Sequence, residues 1–328
     1  MRAFEYASPT NMDQALKLLG KSWDEAAPLA GGTDLLSLMK DDIVSPRRLV
    51  NIKDITALRG ITVNPKGLRI GALTTIEELA DSPEVRKAYP VISHTASEIA
   101  GPQIRNMATI GGNLCQRPRC WYYRGGFGLL AKDQKGDSLV PSGDNRYHAI
   151  LGNTGPAYFI SPSTLAPLFI ALGTTLRLAG PKGVRTLPLE KFYRIPQSET
   201  EREHTLMPDE IVTEIVIPPL AGAKSATYEV RQKETMDWPL ALAAVVLNLK
   251  GGKVSAAQVM MGAVAPIPWR SREAEAALKG KAINEEVADA AGRAAVAKAK
   301  GLGHNDYKIR LAHVAVKRAI MAAMEGGA

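Results

Sequence analysis

Hydrophobic and polar positions run in two periods along the chain, near 3.6 in some stretches and near 2 in others, which predicts a mixture of helices and strands. Residues 4–6 read as a short strand. Asn11 is placed to cap a helix through about Leu19, with Ala15, Leu16, Leu18 and Leu19 on its apolar side. Residues 28–30 read as a strand end, Gly31 and Gly32 as a tight turn, 34–40 as a short helix and 48–52 as a strand. Strands at 61–63 and 68–72 flank a turn. Thr75 and Glu78 have the spacing of a capping box. Pro83 opens another short helix, and 91–99 has an apolar face with His94 on or near it, a packing position. Residues 127–145 have no clear period and read as a long loop.

Residues 147–151 look extended, and 158–161 read as a strand end. Ser163 or Thr164 can cap a helix over 165–172. A hairpin follows, with strands at 176–179 and 184–187. After a charged segment, 211–218 is a strand. From about Ala221 the pattern changes to strands at 227–231, 240–249 and 254–262, the last two joined at Gly251 and Gly252. Helices are expected at 269–278, 284–300 and 308–324. The chain therefore divides into 1–60, 61–218 and 221–328.

Composition narrows the class. The 328 residues are 45% apolar and 23% charged, as in a soluble folded protein with a substantial core. The net charge is +8, but the positive residues are scattered and form no binding tail. Nucleic acid is not the expected partner; an acidic protein or a phosphate-rich cofactor suits this balance. The first residues lack an apolar signal core, and no membrane span is expected. A cytoplasmic protein is expected, periplasmic only if exported with a signal-bearing partner. Two cysteines make no disulfide scaffold.

The chemistry concentrates in residues 101–124, GPQIRNMATIGGNLCQRPRCWYYR, which hold both cysteines and four arginines. Gly111 and Gly112 permit close backbone approach to a ligand. Thr109 and Asn113 flank them with hydrogen-bonding groups. A second pair, Gly31 and Gly32 in AGGTD, sits in a strand–turn–helix setting suited to a phosphate, without the G-x-G-x-x-G fingerprint. A ligand touching both pairs must be dinucleotide-sized. Ser161 and Thr164 mark another junction able to meet ribose or phosphate. No Ser/His/acid triad is visible. Cys115 and Cys120 offer two thiolates, with His148 as the nearest third ligand and Asp133, Asp137 and Asp144 as weak oxygen donors, short of a structural zinc set. Arg117, Arg119 and Arg124 would lower a nearby thiol pKa, or face phosphate or a partner. Trp121, Tyr122 and Tyr123 form the densest aromatic run.

Taken together, AGGTDLL, TIGGNLCQRPRCWYYR, NRYHAILGN, SPSTLAP and LMPDEIVTEIVIP resemble the FAD-binding medium subunit of the molybdenum hydroxylases, the xanthine dehydrogenase family. The wording CQRPRCWYYR is most similar to bacterial aldehyde oxidoreductase FAD subunits. The resemblance implies an α+β fold: two subdomains of the PCMH/vanillyl-alcohol-oxidase type binding FAD, then a three-stranded antiparallel sheet with a helix bundle. Ala30, Gly31, Gly32, Thr33 and Asp34 would wrap the pyrophosphate. Thr109, Gly112 and Asn113 would line the cofactor, Ser161 and Thr164 would meet its phosphate or ribose side, and Leu206 would lie near the isoalloxazine. In RQKETMDW, Lys233 and Asp237 would approach the flavin's far face. The implied partners are a large molybdopterin subunit, a small subunit with two [2Fe–2S] clusters, and NAD or another electron acceptor.

Such a chain passes electrons and does not itself oxidise the organic substrate. The alternatives are a scaffold subunit with weak or absent FAD binding and a self-contained flavin oxidoreductase. Two departures stand out. Relatives with the CQRPRC wording carry four cysteines and an extra [4Fe–4S] cluster, whereas only Cys115 and Cys120 are present here. The expectation is no metal and a loop closed by packing. Thr164 also stands where the family carries an acidic residue.

Overall fold

The computed structural model describes residues 1–233 and 237–326. Three sheets organise it. The first is parallel, with β1 (Glu5–Ala7), β2 (Ala26–Leu29) and β3 (Arg48–Asn51) in the order β1-β3-β2. Its crossovers are α1 (Met12–Leu18) and α2 (Leu35–Lys40). Asn11 caps α1 by accepting from Gln14 N, as the pattern predicts. Ala15, Ala26, Val50 and Ile52 fill one face of this sheet, and Ala27, Leu29, Met39 and Leu49 fill the other.

The second sheet has five antiparallel strands: β4 (Ile61–Asn64), β5 (Gly67–Gly71), β6 (Thr175–Gly180), β7 (Gly183–Pro188) and β8 (Ile211–Ile217), in the order β4-β5-β8-β6-β7. Strand β8 comes late in the chain yet pairs with β5 and β6, which ties the two halves of this unit together. Between β5 and β6 lie α3 (Ile76–Asp81), α4 (Pro83–Ala88), α5 (Pro90–Ser97), α6 (Pro102–Arg105), α7 (Ile110–Leu114), α8 (Trp121–Arg124) and α9 (Leu165–Ala171). Thr75 and Glu78 form the capping box of α3. Leu79, Ile92, Ile110 and Phe169 pack on Leu68, Ile70, Leu176 and Ile215 in the largest core.

The third sheet is antiparallel: β9 (Lys224–Arg231), β10 (Pro239–Lys250), β11 (Lys253–Gly262) and β12 (Trp269–Arg270), in the order β12-β11-β10-β9. It has four strands, not three. Trp269 and Arg270, expected in a helix, instead pair with Met261 and Met260. Ser271 caps the helix that follows, α10 (Arg272–Leu278), by accepting from Ala274 N. Two more helices follow, α11 (Glu285–Ala295) and α12 (Tyr307–Glu325). The expected helix to residue 300 stops early because the Lys300 N–H turns away to donate to Ile150 O.

Strand β10 explains its own sequence. Ala241, Ala243, Val245 and Leu247 face the core under the C-terminal helices, while Ala244 and Val246 enter the middle core. A strand buried on both faces carries a continuous apolar run instead of alternation. Residues 147–151 are irregular; the Ile150 and Leu151 N–H groups both donate to Val264 O.

Candidate functional site

A cavity of about 470 Å³ opens where the three sheets meet. Its floor is two backbone turns. Gly31 brings the AGGTD turn so close to the next unit that a Cβ there would lie 1.8 Å from Met107 O. Gly32 takes φ +74°, a conformation that favours glycine. Among the described residues no hydrogen bond takes the N–H of Gly31, Gly32, Thr33 or Asp34. Free N–H groups from successive residues make a cradle for an anion.

The facing turn enters α7. Thr109 caps that helix by accepting from Gly112 N at 3.1 Å. Gly111 faces away from the cavity, where a Cβ would press on Ala72, so its role is packing. Asn113 is oriented by Ser163, whose hydroxyl donates to Asn113 Oδ1 at 2.7 Å and accepts from Ala166 N. Thr164 holds the N-cap position of α9 but makes no capping bond; Ser163 supplies that bond instead.

Of the residues expected from sequence, Ala30, Gly31, Gly32, Thr33, Asp34, Thr109, Gly112, Asn113, Thr164, Leu206 and Asp237 line this cavity. Ser161 and Lys233 do not. Ser161 is buried behind the wall with its N–H donating to Ala265 O, and Lys233 is exposed. Residues 234–236 of the segment carrying Lys233 and Asp237 lie outside the described residues.

The arginine-rich loop is tied to the floor. The Asp34 carboxylate accepts from Arg117 N at 2.8 Å and Arg124 Nη2 at 2.7 Å, with Arg119 Nη2 at 3.5 Å. Arg117 also donates to the buried Glu203 carboxylate at 3.2 Å. Burial raises the Glu203 carboxyl above its ordinary value, and Arg117 opposes that rise. Arg119 lies over the Trp238 ring at 4.6 Å, joining the loop to the start of β10. Arg117 and Arg119, which the sequence offered as possible phosphate contacts, border the cavity; Trp23, His204, Glu229, Arg231 and Trp238 border it too and were not expected there. Of these five, only Arg231 and Trp238 fall within a named motif, RQKETMDW; nothing local marks Trp23, His204 or Glu229, whose partners lie on other elements.

The thiols correct one expectation. The nearby arginines do not lower them. Burial pushes the Cys115 thiol up to about 12 and also raises Cys120. The arginines are already committed to Asp34 and Glu203. Cys120 Sγ lies 3.1 Å from His148 Nε2, and burial, with Lys308 adding, holds that imidazole down to about 4. Among the described residues no three His, Cys, Asp or Glu side chains gather as a metal set. Asp133 instead accepts from Lys135 N and Asp137 N, and Asp144 pairs with Arg146. Cys120, Tyr123, Leu129, Leu130 and Phe159 form a small core with Leu38 that closes the long loop.

No helix among the described residues is long and apolar enough to cross a membrane. Residues 2–220 match the model of the FAD binding domain in molybdopterin dehydrogenase, and 226–323 match the CO dehydrogenase flavoprotein C-terminal domain. The chain is 33% identical to the carbon monoxide dehydrogenase medium chain of Hydrogenophaga pseudoflava, over 98% of this chain and 96% of that one. It is 31% identical to the aldehyde oxidoreductase FAD-binding subunit of Escherichia coli K12, covering 85% and 86% of the two chains. A solved carbon monoxide dehydrogenase from H. pseudoflava, lacking the Mo-pyranopterin moiety of its cofactor, superposes with a TM-score of 0.78 at 32% identity, covering 100% of this chain and 99% of that one. With both halves matched in order, the chain belongs to the FAD-binding flavoprotein subunits of the molybdopterin dehydrogenase family.

Proposed function

We propose that this chain binds FAD in the 470 Å³ cavity and serves as the electron-exit subunit of a molybdenum hydroxylase. The observation that carries the reading is the run of unbonded N–H groups at Gly31–Asp34, set opposite Thr109, Gly112 and Asn113. Those N–H groups suit the pyrophosphate, which needs donors without the cost of desolvating a lysine. Asn113, fixed by Ser163, suits a polar ring edge or a ribityl hydroxyl. Leu206 and Ile99 supply apolar wall for a flat ring. FAD would supply two-electron to one-electron exchange between clusters and acceptor.

The protein's own task is to bind, orient and shield that group. Partners of the kind this family implies, a molybdopterin subunit and a small subunit with two [2Fe–2S] clusters, would perform the hydroxylation and feed the electrons. NAD or another acceptor would take them. The test uses the assembled complex. Substrate added without oxygen should bleach flavin absorbance, and acceptor reduction should cease when this chain is omitted. Equal acceptor reduction without the chain, or substrate oxidation by the chain alone, would refute the assignment.

A further inference from the structure

We propose that His204 contacts the cofactor directly, its imidazole edge hydrogen-bonding a neutral polar group of bound FAD. The inference rests on the FAD reading above and adds a residue to it. His204 lies two positions before Leu206 on an extended segment bridged to Tyr193, and both His204 and Leu206 border the cavity. It is 4% exposed. Its orientation is fixed on two sides. The ring stacks on Phe192 at 5.1 Å and 12°, and Trp23 meets it edge-on at 6.2 Å. Arg202 covers Trp23 in turn, at 4.4 Å.

Within this clamp the ring has no polar partner beyond its own backbone. Nδ1 is enclosed and bonded to no other residue, and among the described residues no hydrogen bond reaches Nε2. A buried polar group left unpaired is destabilising. Phenylalanine would fill the same aromatic slot without that cost. Nδ1 is enclosed, so Nε2 is the ring nitrogen left open to a partner from the cavity side. Burial, with the Arg117 guanidinium beside it, drives the ring down to about 3, so it is uncharged at neutral pH. An uncharged ring offers one N–H and one lone pair. That suits a flavin ring edge or a sugar hydroxyl, and leaves the phosphates to the Gly31–Asp34 cradle.

The test compares FAD affinity of the full-length chain, stripped of flavin and titrated with FAD, in wild type and His204→Phe. The expected result is binding about tenfold weaker, the size of one hydrogen bond. The flavin-free variant should melt at the wild-type temperature or above it, because an orphaned polar group has been removed. His204→Gln, which restores a polar edge, should recover part of the affinity. Should His204→Phe fail to fold, wild-type chain labelled with ¹⁵N-histidine carries the test, and one His204 ring nitrogen should shift on FAD saturation. An affinity within twofold of wild type in His204→Phe, or an unmoved ¹⁵N resonance, would overturn the proposal. Wild-type chain that binds no FAD would instead overturn the reading beneath it.

Discussion

The Asp34 carboxylate holds the Arg124 guanidinium at 2.7 Å, across ninety residues of sequence. One residue of the AGGTD turn thereby fixes the loop that carries both cysteines. Asp34 and Arg124 keep only 17% and 15% of their side-chain surface, so solvent screens this pair weakly. The turn and the loop should therefore respond together to a change in either.

Asp34→Ala should lower stability by about 3 kcal/mol, since it strands Arg124 and the Arg117 N–H. It should also weaken FAD binding, although the cradle donates through backbone and not through this carboxylate. Urea unfolding and FAD titration of the same variant check both effects. Loss of affinity with unchanged stability would mean that Asp34 acts on the ligand and not through the loop.

Gly31→Ala should be more disruptive than its single methyl suggests. The new Cβ would lie 1.8 Å from Met107 O, a backbone atom that cannot rotate aside. Overpacking of this kind costs about 1–3 kcal/mol. The two floor turns would be forced apart, and the chain should purify with little flavin. The ratio of flavin to protein absorbance measures this.

Lys308 pins the C-terminal helix to the middle unit. Its buried amine, whose pKa burial lowers to about 7, donates to Tyr147 O, His148 O and Ala263 O at 3.2, 3.1 and 2.8 Å. Lys308→Met keeps the apolar stem and strands Tyr147 O and Ala263 O, while His148 O keeps the Asn305 Nδ2 donor. A loss of about 3 kcal/mol is expected, read as a lower thermal midpoint.

Acid should weaken the fold through His148. Burial, then Lys308, lowers its folded value from 6.5 to about 4. Between those values the unfolded chain binds the extra proton. The contribution is whole above 6.5, falls as pH drops, and is gone near 4. The slope attributable to this ring approaches about 1.4 kcal/mol per pH unit. His148→Phe should flatten the stability–pH curve in that window, as measured by urea unfolding at stepped pH.

Local signals were legible where structure is locally determined. Asn11, Thr75 with Glu78, and the β6–β7 hairpin act within a few residues, and the pattern located each of them. Misreadings fell where a distant partner decides. Trp269 and Arg270 became a strand because β11 offers an open edge. The loop 147–151 is irregular because its N–H groups reach Val264 and its carbonyls face Lys308. The thiols rise because they are buried, and the arginines beside them in sequence are paired elsewhere in space. Eleven of the thirteen expected site residues reach one cavity, since glycine turns mark close approach whatever lies opposite. His204 and Trp238 carry no such mark.

The full-length chain, purified and then denatured, should release one flavin per chain that chromatographs as FAD and not FMN. After removal, that flavin should rebind to the refolded chain and restore the visible bands. Colourless chain that stays free of flavin in excess FAD would contradict FAD binding at this cavity.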